Sequence, residues 1–333
     1  MTRNTEGYGS SITAAACLAL TIAFAARAQE GEPVVDSDQQ TDAQTGMGTE
    51  PTQSVDGDDV DETLPGTGPE PFRLDEVIVA STLSPRTGFE TPYSTDTVDA
   101  GQIFERSYRS SPEALRDIPG VMVQKTAFGQ GSPFIRGFTG FRTLMLVDGI
   151  RLNNSVFRDG PNQYFNTIDP FSVDRFEVVK GPSSVLYGSD AIGGTVAAVT
   201  KSPNTYGAGT RAGGRGFYRY SSADDSNVGR GEFSLTVDDT FGAFVGLSGK
   251  DFGDLEAGSP TDEQPNTGYE EVAVDAKAEF WLDEDSRLVF AHQTVQQNNV
   301  PRTHRTVFAI PFEGTTVGSD LQRDLDQERN LTY

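Results

Sequence analysis

One cysteine and two histidines are all that this 333-residue chain offers for thiolate or imidazole chemistry. Cys17 lies within the uncharged stretch Ile12 to Ala26, so a chain cut after Ala28 keeps no cysteine, no disulfide and no thiolate. Basic residues are scarce as well: 26 Lys and Arg against 49 Asp and Glu leave a formal charge of -23. Nucleic acid is thereby excluded as a partner, because phosphate binding needs a basic face. Hydrophobic residues reach only 35%, while glycine occurs 36 times. That balance argues against a large close-packed α/β core and for strands, turns and loops. No apolar run after Ala28 approaches the roughly 20 residues of a membrane helix. A closed β-barrel, whose backbone groups pair between strands, stays open as a membrane-spanning solution. No Ser/His/Asp or paired-carboxylate constellation stands out, so an enzyme is not expected.

Residues 1–28 read as a signal peptide. Arg3 sits in a short polar region, Ile12 to Ala26 is apolar, and Ala26-Arg27-Ala28 gives the small-x-small cleavage pattern before Gln29. The competing anchor reading fails on length, and a lipoprotein reading of Cys17 has too little apolar chain before it. Residues 29–74 hold twelve acidic residues against Arg73 alone. So polar a segment cannot bury enough apolar surface to offset its ordering entropy and is expected to be a disordered linker. Its cluster of Asp56, Asp58, Asp59, Asp61 and Glu62 lacks the spacing of a calcium loop. The composition then changes at residues 75–80, Asp75-Glu76-Val77-Ile78-Val79-Ala80. Val and Ile favour extended backbone. A short strand on a tether, with nothing in its own chain to pair with, is a candidate for adding to another protein's sheet edge. The alternative is an ordinary first strand of the next domain.

Residues 85–205 read as an α+β domain rich in glycine. Ser111-Pro112-Glu113 looks like a helix start with Ser111 as cap, ended by Pro119-Gly120. Strands are expected at Val121 to Gln124, Thr143 to Val147 and Arg175 to Val179, with a turn at Asp148-Gly149. From residue 210 to 333 the pattern becomes period two. Val272, Val274, Ala276, Ala278, Phe280 and Leu282 share one face; Glu271, Asp275, Lys277 and Glu279 share the other. About five strands are expected, near 212–221, 229–238, 241–250, 270–282 and 286–297, followed by a polar tail over 298–333. Long and short connections alternate, as in outer-membrane barrels with long extracellular loops and short periplasmic turns. An aqueous β-sandwich alternates along each strand too, but gives no reason for the loop lengths to alternate.

Five motifs between Ser111 and Lys201 carry a family resemblance. They are the Ser-x-x-x-Leu helix ending at Pro119-Gly120; Ile135-Arg136-Gly137; Leu146-Val147-Asp148-Gly149-Ile150-Arg151; Glu177-Val178-Val179-Lys180-Gly181-Pro182-Ser183-Ser184-Val185-Leu186-Tyr187-Gly188; and Ala191-Ile192-Gly193-Gly194-Thr195-Val196. In order and content they resemble the plug domain of TonB-dependent outer-membrane receptors. Ala197 and Ala198 depart from the bulkier residues usual there. A phosphate-loop reading of Gly188 to Gly194 fails because no Gly-Lys-Ser/Thr follows.

The resemblance implies a plug domain followed by the first strands of a truncated transmembrane antiparallel β-barrel. A lumen wide enough to hold a plug needs far more than five strands. It makes residues 75–80 the TonB box, and TonB, with the ExbB/ExbD energy complex, the partner. It also implies outer-membrane lipid around the barrel and a scarce extracellular ligand, a ferric siderophore or haem first and cobalamin or glycans next, with no permanently bound cofactor. No signalling domain is expected ahead of the box. Arg136, Arg142, Arg151, Arg175, Glu177 and Lys180 are expected to hold the plug to the barrel wall by charge-assisted hydrogen bonds. The segment Val300 to Thr306 is faintly similar to haem receptors, so His292 and His304 are candidate haem ligands, against the plainer reading of a wall residue and a loop residue. A passive porin and a secreted β-sandwich adhesion module are the rivals from other classes.

Overall fold

Two apolar runs, Thr143–Val147 and Gly194–Thr200, are buried on both faces and form the centre of a small mixed sheet. This computed structural model describes residues 77–78, 86–87, 91–153, 159–161, 163–203, 209–256, 258–259, 262–283, 286–302, 318–320 and 323–333. The expected signal peptide and linker, four of the six residues of the 75–80 segment, and His304 lie outside these. The sheet comprises β3 (Ser94–Asp99), β6 (Thr143–Val147), β7 (Ile150–Arg151), β8 (Val173–Lys180) and β9 (Gly194–Thr200), in the order β3-β8-β9-β6-β7. β6 and β9 are parallel; the other neighbours are antiparallel. β9 is the central strand, and its small Ala197 and Ala198 are covered on both sides. Gly194 is required there, since a Cβ would come within 2.4 Å of the Val179 carbonyl oxygen. Between β6 and β7, Asp148 and Gly149 both take positive φ, 48° and 82°, as a two-residue hairpin of this hand demands.

Around this sheet pack α1 (Ala100–Arg106), α2 (Ser111–Ala114), the hairpin of β4 (Val121–Ala127) and β5 (Gln130–Ile135), and α3 (Ser184–Tyr187). Asp99 caps α1 by accepting from the Gln102 N–H at 2.8 Å. The expected helix from Ser111 to Gly120 is only one turn long, and its preceding residue is Ser110. Ser111 cannot cap because its hydroxyl donates to the Ile168 carbonyl at 2.6 Å, deep in the domain. Ile103, Leu115, Ile135, Met145, Phe165, Ile168 and Phe176 fill the core. Each such side chain contributes roughly 1.5–3 kcal/mol by leaving water.

The second sheet is six-stranded and antiparallel throughout: β10 (Thr210–Ser221), β11 (Ser226–Val237), β12 (Phe241–Phe252), β15 (Tyr269–Trp281), β16 (Arg287–Pro301) and β17 (Asp324–Thr332), paired in that order. A short hairpin of β13 (Leu255–Glu256) and β14 (Glu263–Gln264) lies in the connection after β12. The sequence reading is corrected in two places. There are six long strands rather than five, and the supposed polar tail contains β17. No helix among the described residues is long and apolar enough to cross a membrane.

The burial of this sheet is inverted relative to a soluble protein. Glu271, Asp275, Lys277 and Glu279 are buried, facing the first domain, while Val245, Phe280 and Phe290 are 48%, 39% and 55% exposed. Apolar side chains on the free face and charges on the covered face are what a barrel wall needs, with lipid outside and a polar lumen inside. Strands of 12 to 15 residues in β10, β11, β12, β15 and β16 exceed the roughly 9–11 needed to cross a bilayer at a tilt. The strand ends joined through 238–240 and 282–286 lie on one side and are close in sequence; those joined through 222–225, 253–268 and 302–323 lie on the other, two of these pairs far apart in sequence.

Candidate functional site: the seat of the plug on the wall

Asp169 sits at the centre of the contact between the two sheets. It precedes the 3-10 turn Pro170–Ser172 and caps it, its Oδ1 accepting from the Phe171 N–H at 3.0 Å. The same Oδ1 is 2.8 Å from Lys250 Nζ on β12. Its Oδ2 accepts from Ser248 Oγ at 2.5 Å and lies 3.3 Å from Arg230 Nη1 on β11. Asp169, Arg230 and Lys250 all have side chains with no solvent exposure. The two cations are shared with the wall's own carboxylates. Arg230 forks onto Asp275 at 2.9 and 3.1 Å, and Lys250 donates to Glu271 at 2.6 Å. Gln297 completes the group, donating to Glu271 at 2.7 Å and to the Asn166 carbonyl at 3.2 Å. Burial alone would raise the Asp169 carboxyl's pKa; Lys250 and Arg230 overcome it and hold the group below the usual carboxylate range.

A second set of contacts lies toward the short-turn side. Asp148 accepts from the Thr200 N–H at 2.8 Å and the Thr200 hydroxyl at 2.5 Å. Lys277 of β15 approaches it at 3.4 Å and donates to Thr200 Oγ1 at 2.7 Å, and the Tyr333 hydroxyl donates to it as well. Lys201, just after β9, pairs with Glu232 of β11. A third set borders the opposite side: Arg219 Nη1 donates to the Ser107 carbonyl at 2.6 Å, and Arg109 pairs with Asp224 at 3.1 Å. Arg329 of β17 donates to the Thr167 carbonyl at 2.8 Å.

The motif charges expected to hold the plug to the wall have the following partners among the described residues. Arg151 donates to the Tyr187 and Ser189 carbonyls at 2.6 and 3.1 Å and pairs with Asp190. Lys180 pairs with Asp96 at 2.5 Å and donates to the Pro119 carbonyl. Arg175 donates to Glu177 at 2.8 Å, Arg142 lies 3.6 Å from Asp159, and Arg136 packs beside Gly181. These partners belong to the first domain, so among the described residues these charges brace the plug internally. On the six described strands and the connection 222–225 the plug-side charges in contact are Asp169, Asp148, Lys201 and Arg109.

Of the remaining candidates, Gly137 follows Arg136 in a left-handed pair at the end of β5, φ 85° after 51°. Pro182, Tyr187 and Gly188 frame α3, and Gly193 must lack a Cβ because one would meet Phe138 Cβ at 2.4 Å. Burial first, then Glu177, pushes the Tyr187 hydroxyl up to about 12. Val77–Ile78 forms β1, paired antiparallel with Arg86–Thr87, β2. The segment therefore does have a partner in its own chain, contrary to expectation, over the two residues of it that are described. His292 stands on the wall face turned away from the plug, hydrogen-bonded through Nδ1 to Thr332 Oγ1 at 2.8 Å. No cluster of metal-ligating side chains occurs among the described residues.

A mixed plug sheet, seated by buried charges on the polar face of an inside-out antiparallel wall, defines a plugged outer-membrane barrel. Residues 87–195, about a third of the chain, match the family model of the TonB-dependent receptor plug domain, and this part of the chain is similar to the plugs of TonB-dependent outer-membrane receptors. It is 36% identical over 131 residues to a vitamin B12 transporter of Vibrio vulnificus, covering 38% of this chain and 21% of that protein. It is 27% identical over 264 residues to a hemin receptor of Yersinia enterocolitica, covering 77% of this chain and 37% of that one. The chain thus spans well under half the length of these relatives. Its fold also matches the outer-membrane ferripyoverdine receptor of Pseudomonas aeruginosa, with a TM-score of 0.52 and 20% identity over 67% of this chain and 27% of that one.

Proposed function

We propose that this protein takes up a scarce iron-bearing ligand, a ferric siderophore or haem, across the outer membrane. TonB, energised by ExbB/ExbD, pulls on the plug through residues 75–80. The chain reaches the membrane after cleavage of residues 1–28. No covalent bond in the ligand is made or broken. The observation that carries this reading is the set of charge-assisted hydrogen bonds that seat the plug on the wall, beside the apolar contacts of Phe104 and Phe171 with Phe217. Such hydrogen bonds can be exchanged for water in a polar lumen as the plug moves. A passive porin has no use for such a plug, and a soluble β-sandwich would bury the apolar face, not the charged one.

Haem is favoured among the ligands by one comparison. The alignment to the Yersinia enterocolitica hemin receptor covers 77% of the chain, against 38% for the vitamin B12 transporter. His292 has no part in the haem reading, since it points away from the plug; His304 keeps its candidacy. The test is binding and uptake of haemin, a ferric siderophore and cyanocobalamin by cells expressing the full-length receptor, with and without TonB. Uptake that persists without TonB overturns the reading. A receptor that takes up only cyanocobalamin keeps the mechanism and replaces the ligand.

A further inference from the structure

A cavity of about 220 Å³ opens between the plug and the lumen face of β10, lined by Arg106, Tyr108, Arg109, Glu113, Arg116 and Arg219 among others. It adjoins the connection 222–225, through the pairing of Arg109 with Asp224. That connection lies on the side of the two long loops, the extracellular side by the usual asymmetry of outer-membrane barrels. Its lining holds four guanidiniums and one carboxylate; Asp224 and Asp117 at its border pair with Arg109 and Arg116, at 3.1 and 3.7 Å, which leaves the pocket cationic in a chain that carries -23 overall.

The four arginines are not equally occupied. Arg116 lies 3.5 Å from Glu113, and Arg109 is spent on Asp224 while its guanidinium lies 4.6 Å from the Phe128 ring centre, at the tip of the β4–β5 hairpin. Arg106 and Arg219 form no ion pair among the described residues. Arg219 uses Nη1 on the Ser107 carbonyl, and its Nε is inaccessible to solvent and has no acceptor among the described residues. Glu113 is neutralised from another side by Lys125 at 2.7 Å, and its carboxyl is held low, burial notwithstanding, chiefly by that lysine. The Tyr108 hydroxyl donates to Asp117 at 2.8 Å; burial and that bond push it up to about 12, so it adds no negative charge.

We infer that this pocket is an anion subsite that takes a carboxylate arm of the transported ligand, with Arg106 and Arg219 as its receiving groups. The planar fork of a guanidinium suits a carboxylate. The volume is below the roughly 300–1,000 Å³ of a site for a whole drug-sized molecule, so it holds one arm and leaves the rest to the lumen. The inference rests on the transport reading and sharpens it: the ligand is anionic, and net-neutral cobalamin does not use this pocket.

The test is equilibrium binding to the purified full-length receptor, with haemin and ferric citrate as carboxylate-bearing probes and cyanocobalamin as the neutral one. Arg106→Gln and Arg219→Gln are each expected to weaken the anionic probe about tenfold, the loss of one charge-assisted hydrogen bond. The weakening should shrink as salt rises. Arg219→Lys should recover part of the affinity, and Arg142→Gln, outside the pocket, none of the loss. Because Arg219 also contacts the plug, heat-modifiable migration checks folding, and the exposed Arg106 gives an independent reading. Unchanged affinity in the Arg106→Gln, Arg219→Gln double variant overturns the subsite, as does a receptor that binds neither carboxylate probe. Failure of the transport reading shows up separately, as uptake indifferent to TonB.

Discussion

At the scale of single residues, the plug's attachment turns on Asp169. Its carboxylate is the one plug anion shared by Arg230 and Lys250, both without solvent exposure. Removing one partner of a buried pair leaves an uncompensated charge, at a cost of about 3–5 kcal/mol. Asp169→Ala should therefore loosen the plug in an otherwise folded barrel, making cells permeable to large antibiotics; unchanged exclusion and an unchanged unfolding temperature would speak against the latch. Asp169→Asn should cost less, because it keeps the bond to Ser248. The depressed pKa fixes the sign of the pH effect. A carboxyl held below its unfolded value of about 3.9 stabilises above that pH and loses its contribution as pH falls toward the folded value. The stability gap between wild type and Asp169→Asn is expected to be flat from pH 7 to 5 and to close below about pH 4. A gap that widens in acid would mean Asp169 is not the ionised partner.

At the scale of elements, legibility followed side-chain periodicity. β15 was readable because Val272, Val274 and Ala276 alternate with Glu271, Asp275 and Lys277. β17 was not, because its outward positions, Glu328, Asn330 and Thr332, are as polar as its surroundings and present no apolar face. Thr143–Val147 and the Asp148-Gly149 turn were legible from local chemistry alone. Asp169 was not: it stands in the run Thr167-Ile168-Asp169-Pro170, and only its long-range pairing with β11 and β12 distinguishes it from a loop aspartate. The partners of the motif arginines were not legible for a related reason, since a motif shows that a charge is needed without naming its partner.

The β1–β2 pairing sharpens the coupling proposal at this same scale. Among the described residues Val77↔Thr87 and Ile78↔Arg86 pair, and a two-stranded pairing standing alone is marginal in water. TonB can therefore compete for the same backbone edge. Backbone hydrogen bonds carry such strand addition, so side-chain identity should matter less than the presence of the N–H. Ile78→Pro removes that donor and fixes φ. It is expected to abolish energised uptake while leaving ligand binding at the outer face intact. Ile78→Val should be nearly silent, because it keeps the donor and the extended preference. Binding and uptake measured side by side in cells decide it. Normal uptake in Ile78→Pro would falsify the coupling role, and loss of binding with uptake would place residues 75–80 in the plug's own fold.

At the scale of the whole molecule, the wall makes two demands on its surroundings. Its outer face needs lipid. Val245, 48% exposed midway along β12, faces outward, and an arginine near the bilayer midplane costs about 2–4 kcal/mol. Val245→Arg should lower the yield of heat-modifiable receptor in the membrane, and Val245→Leu should not. Its edges need partners. β10 and β17 each pair on one side only among the described strands, over twelve residues and nine. Long unpaired edges template association with other chains. The free face offers no protection, since Phe280, Leu288 and Phe290 cluster there in adjacent register on β15 and β16. A plug docked on one face cannot shield either the edges or the opposite face. The 333-residue chain, expressed alone and purified without detergent, is therefore expected to associate into large species, measured by light scattering. Detergent should cover the apolar face but not the edges, so small oligomers should persist in it. A monodisperse monomer in plain buffer would mean that the apolar face is not lipid-directed and that the six strands close on themselves.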